Sequence, residues 1–110
     1  MAWFGKSARA LSASGVAYAM KGQFDLAIVD FNEAIRLNPE YADAFYNRGN
    51  AYAEQREYDR AIASYDKAIR LKPKCAVAIK NRAAAIAMKN EPGGETSAVF
   101  ANSAKFNSLI

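Results

Sequence analysis

The sequence predicts an all-α chain built from a repeated two-helix unit. Residues 8–41 align without gaps on residues 42–75, and fourteen of the 34 positions are identical. The matches include the residues that punctuate a unit: Gly15 recurs as Gly49, Tyr18 as Tyr52 and Pro39 as Pro73. Within each copy the apolar residues fall three and four apart, the spacing of one face of an α-helix. A fixed period of this length is the mark of a stacked repeat architecture.

Each unit reads as two helices. Leu11, Gly15, Tyr18 and Gly22 lie along one stripe, and Gly22 ends it. Ala27, Ile28, Phe31, Ala34, Ile35 and Leu37 form the second stripe, with Asp25 in its opening turn, where a negative charge meets the positive end of the helix dipole. Asn38-Pro39 stops it, because proline restricts the residue before it and cannot donate an intrahelical bond. The second unit repeats this with Phe45, Gly49 and Tyr52, then Ala61, Ile62, Tyr65, Ala68 and Ile69, then Pro73. Arg56 stands where the first turn has Gly22, which predicts a less sharp second turn. Small residues near rings (Gly15, Gly49 and the alanines against Tyr18, Phe31, Tyr52 and Tyr65) predict helices packed at about 8–10 Å with rings filling the gap.

These residues resemble the tetratricopeptide repeat, a family of 34-residue helix–turn–helix units. The first unit supplies Leu11, Ser14-Gly15, Tyr18, Ala27, Phe31, Ala34 and Pro39; the second supplies Phe45, Arg48-Gly49, Tyr52, Ala61, Tyr65, Ala68 and Pro73. Leu11 departs from the family's large aromatic, and Ser14 and Arg48 depart from its leucine. The resemblance implies a right-handed α–α superhelix, a solenoid of about two and a half repeats with a C-terminal segment. The expected boundaries are residues 1–7 as an extension of the first helix, 8–41 as unit one, 42–75 as unit two, 76–90 as a partial third unit and 91–110 as a turn and tail.

The third unit begins well and then fails. In residues 76–89, Ile79 takes the place of Leu11 and Phe45, Ala83 that of the glycines, and Ile86 that of the tyrosines. The cluster NEPGGE follows, and continued spacing would put Glu95 and Asn102 at the close-packed alanine sites, with Val99 at the ring site. The tail over 96–110 is therefore expected as a short helix with a ragged face of Val99, Phe100, Phe106 and Ile110, or as an unstructured end. The 76–89 helix carries little polar relief for the end of a stack, so either the tail or another copy of the chain is expected to cover it. Trp3 and Phe4 are expected to cover the start.

Composition excludes more than it selects. The net charge is +4, from 15 basic and 11 acidic residues that alternate along the chain. That pattern reads as a solvated surface rather than a nucleic-acid footprint, which would gather one sign on one face. No apolar run approaches the length of a membrane span, and no secretory signal is expected at the start. Cys75 is the one cysteine and there is no histidine. No internal disulfide can form, a cytoplasmic location is expected, and the usual zinc clusters and the commonest general base are missing. No catalytic residues, no metal and no cofactor are expected, and NEPGGE lacks the ending of a phosphate loop.

The expected function is therefore binding of a protein or peptide partner, with neither nucleic acid nor membrane as partner. By the resemblance, the first helices of successive units line a concave wall. Its residues would be Arg9, Ser12, Val16 and Met20 in unit one; Asp43, Tyr46, Asn47, Asn50 and Glu54 in unit two; and Val77, Lys80, Asn81, Ala84 and Met88 in unit three. That mixture of ring, thioethers, amides and charges suits an extended peptide or a helix. One use within the family, clamping a terminal carboxylate, needs a set of lysines, asparagines and an arginine; Asn47 matches it, while Ser12, Val16, Val77 and Asn81 replace the other members. The alternative function is self-association, in which copies exchange helices to complete a short stack.

Overall fold

A serine hydroxyl starts the first helix. In the computed structural model, which describes residues 5–90, Ser7 has extended backbone (φ −71°, ψ 164°), and its Oγ accepts from the Ala10 N–H at 3.1 Å. The cap satisfies a donor that the helix itself leaves without a partner. α1 (Ala8–Met20) begins there. The expected helical extension over residues 1–7 is thus corrected at its inner end, since Gly5, Lys6 and Ser7 precede the helix. Trp3 and Phe4 lie outside the described residues.

α2 (Phe24–Leu37), α3 (Ala42–Glu54), α4 (Tyr58–Leu71) and α5 (Ala76–Asn90) follow. Each helix packs on the next in chain order; α1 also touches α3, and α3 touches α5. The odd-numbered helices therefore share one side of the stack. α5 covers the span expected to open a third unit; Val99, Phe100, Phe106, Ile110 and the rest of the tail lie outside the described residues.

The glycines are notches for rings. A Cβ built on Gly15 would lie 2.5 Å from Cε1 of Phe31, and one built on Gly49 would lie 2.7 Å from Cε1 of Tyr65. Both rings are fully buried, flanked by the equally buried Ala27 and Ala34 in unit one and Ala61 and Ala68 in unit two. The methyl-sized neighbours bring the helices close, and the ring fills the space that remains.

Polar pairs then fix one unit against the next. Gln55 Nε2 donates to Asp25 Oδ1 at 2.5 Å, and 34 residues on Lys89 Nζ meets Asp59 Oδ1 at 2.6 Å. Arg48 Nη1 donates to Asn32 Oδ1 at 2.9 Å, and Arg82 pairs with Asp66 in the same register. The repeat is thus preserved in contacts as well as in letters.

The second turn differs from its expectation. Arg56 takes a φ of 63°, close to the 77° of Gly22, and both turns make the same bonds. The Gly22 and Arg56 N–H groups donate to Ala19 and Ala53, and the next N–H of each turn reaches back to Tyr18 and Tyr52. The packing of α4 on α3 forces arginine into the left-handed region despite its steric cost.

Gly49→Ala should lower stability by about 1–3 kcal/mol, because the buried Tyr65 ring has nowhere to retreat. Chemical denaturation of the variant should show a lower midpoint with an unchanged slope; an unchanged midpoint would refute the notch.

Candidate binding groove

The residues expected on the wall all lie on α1, α3 and α5, in three conditions. Arg9, Met20, Asp43, Val77 and Lys80 are exposed. Val16, Glu54 and Ala84 are half-buried. Ser12, Tyr46, Asn47, Asn50, Asn81 and Met88 are buried. The expectation that all of them stand open to a partner is corrected at these last six. Tyr46 and Met88 belong to a core cluster that α4 also lines, and Asn50 and Asn81 bond to each other between α3 and α5.

At the seam between α3 and α5 the sealed residues form a hydrogen-bonded cluster. Asn81 Nδ2 donates to Asn50 Oδ1 at 3.0 Å and to Tyr46 Oη at 3.3 Å. Tyr65, the ring in the Gly49 notch, donates its Oη to the same Asn50 Oδ1 at 2.5 Å. The Tyr46 and Tyr65 rings tilt at 45° with centroids 6.2 Å apart, a favourable aromatic geometry. One amide on α3 therefore ties α4 and α5 to it. Burial pushes both tyrosine hydroxyls above their ordinary range, Tyr65 the further, so they remain donors at any physiological pH.

Three side-chain atoms on α3 are sealed from solvent with no hydrogen-bond partner among the described residues: Asn47 Oδ1, Asn50 Nδ2 and Glu54 Oε2. They sit three and four residues apart, on one stripe of the helix. Burial raises the Glu54 carboxyl above its ordinary value, and no cation among the described residues offsets that effect.

Sequence reasoning missed two contributors. Tyr65 reads as a core ring, and its hydroxyl contact with Asn50 shows only in three dimensions. Arg48 reads as a departure from a leucine, yet its guanidinium lies 5.3 Å from the Phe45 ring centroid and 5.9 Å from that of Tyr52 while its Nε donates to Ser64 Oγ. The recurrence of arginine 34 residues on, at Arg82, was the available signal. Beside the wall, Leu71, Pro73, Cys75 and Asp43 border a surface cleft of about 600 Å³ at the α4–α5 junction. Among the described residues no cluster of three potential metal ligands occurs, and no helix is long and apolar enough to cross a membrane.

Comparison with known proteins agrees with this architecture. A family model described as TPR repeat matches residues 15–56, and one described as Tetratricopeptide repeat matches residues 42–75. The chain belongs to the tetratricopeptide repeat family, and its fold is an all-α solenoid of these units. Among solved structures it is similar to one titled "Crystal structure of MamA protein", with a TM-score of 0.75 and 31% identity over 94% of this chain. The match spans 55% of that protein's chain, about half its length. No curated relative matches the sequence. Tetratricopeptide repeats generally mediate protein–protein interaction.

The raised Glu54 carboxyl has a consequence for stability. The folded chain holds that proton more tightly than the unfolded one, so the contribution is whole below the ordinary carboxylate range and is lost as pH rises through the raised value. Denaturation midpoints of the wild type, measured relative to Glu54→Gln, should fall as pH climbs above about 4.5. A flat difference would show that the carboxyl is fully solvated.

Proposed function

We propose that the chain is a non-catalytic binding module that takes a peptide segment or helix of a protein partner on the wall formed by α1, α3 and α5. The observation carrying this reading is the exposed part of that wall. Met20 is 61% exposed and Val77 48% exposed, with Arg9, Asp43 and Lys80 among them. Apolar side chains left in water beside charges of both signs are the chemistry of a peptide groove. The reading takes these exposed residues as the contact points, with the sealed cluster of Tyr46, Asn50 and Asn81 as the scaffold that spaces the helices. Asn47, Ser12 and Met88 belong to the same scaffold.

Met20→Asp with Val77→Asp tests the wall without disturbing the core. Short capped peptides selected for binding to the wild type should lose about tenfold or more in affinity, on the order of the burial of two apolar side chains. The circular dichroism of the variant should be unchanged. Undiminished binding would place the site elsewhere.

Self-association is a second reading, favoured by a different observation. Ile79 is 47% exposed, whereas Phe45, at the same place in the preceding unit, is buried. Among the described residues, no second helix covers the Ile79 side of α5 as α4 covers Phe45 on α3. A copy of the chain donating a helix would cover it. Light scattering across a concentration series should then show mass rising with concentration and Ile79→Lys holding the chain monomeric; a constant monomer mass in the wild type removes this reading.

A further inference from the structure

One carboxylate in the stack lacks what its counterparts have. The half-buried acids among the described residues are Asp30, Glu33, Asp66 and Glu54. Asp30 accepts from Ser14 Oγ at 2.6 Å, Glu33 is held by Arg36, and Asp66 is held by Arg82. Among the described residues Glu54 meets no cation, and its Oε2 is sealed from solvent with no hydrogen-bond donor. Withdrawing an ionised carboxylate from water without a partner is costly, and the usual remedies are a paired cation or a bound proton.

The position of Glu54 shows where a cation could come from. It closes α3 on the shared side, and the same register is held by Met20 on α1 and Met88 on α5, each 34 residues away. A row of methionine, glutamate and methionine thus runs across the C-terminal ends of the three first helices. Met20 stands open to solvent and Met88 is buried. Met88 therefore belongs to the core, and Met20 is the thioether open to the aliphatic stem of a long side chain, whose charged head the carboxylate can accept.

We infer that Glu54 is the receptor for a lysine or arginine side chain of the bound peptide, and that it selects partners carrying a basic residue. This rests on the groove reading above. The occupant is fixed by charge complementarity: the row holds one acid between two apolar side chains, and nothing within the described chain neutralises it.

The test uses the full chain and an array of short capped peptides of randomised sequence. Peptides retained by the wild type should be enriched in lysine or arginine. Glu54→Gln, which keeps the side-chain shape, should bind those peptides about tenfold or more weakly, the scale of a charge-assisted hydrogen bond. It should bind versions with norleucine at the basic position as the wild type does. Glu54→Lys should shift the preference toward peptides with an acidic residue at that position. If the wild type retains peptides without basic enrichment, or Glu54→Gln binds basic peptides undiminished, this inference fails while the groove stands. If neither protein retains any peptide, the groove reading fails and takes this one with it. Melting curves of both variants confirm that a loss of binding is not a loss of fold.

Discussion

The stack depends on an aromatic ring lying where a glycine has no side chain. Phe31 fills the notch at Gly15 and Tyr65 the notch at Gly49, each so closely that a single added carbon would strike the ring. This contact sets the separation of the two helices within a unit. Everything outside the unit inherits that separation, because α3 can bridge Asp25 and Asn32 of α2 only from the distance the notch allows. In the third unit the register places Ala83 where the glycines stand. Its methyl occupies the space the ring would need, so α5 cannot receive an aromatic ring in the same pose. Among the described residues, the ring-filled notches are those at Gly15 and Gly49.

The second unit adds a polar tie that the first lacks. Tyr65 has a hydroxyl where Phe31 has none, and Asn50 stands where the first unit has Val16. That pair of differences creates the cluster joining α3, α4 and α5, since Asn50 Oδ1 collects donors from both Tyr65 and Asn81. A buried amide with two donors on its oxygen is well satisfied on that side, while its Nδ2 remains without a partner. The α3–α5 seam is consequently held by directional bonds, which fix the relative position of the helices more strictly than apolar packing does.

Helices, turns and ring contacts were legible because each follows from local spacing. A period of 34, glycine before a ring, and proline after an apolar stripe need no knowledge of distant residues. Exposure along the wall was not legible for the opposite reason. Ala13, Asn47 and Asn81 occupy one register, yet Ala13 is exposed while Asn47 and Asn81 are buried. Among the described residues, Asn47 and Asn81 have a preceding unit beside them and Ala13 has none. Burial at a seam is therefore a property of two units together, and a residue pattern read within one unit cannot report it. The turn at Arg56 failed for a related reason: residue preference favoured a looser turn, and the packing of α4 overruled it.

The same logic separates structural from functional polarity on α3. An amide at a seam can be satisfied by the adjoining unit, as Asn50 and Asn81 satisfy one another in part. A carboxylate at the end of the helix, in a row whose other members are methionines, has no adjoining unit able to do so. Repetition therefore supplies an internal control. Where the other half-buried acids have found donors within the stack, Glu54 has found none among the described residues, and its burial favours the neutral carboxyl over the ionised one.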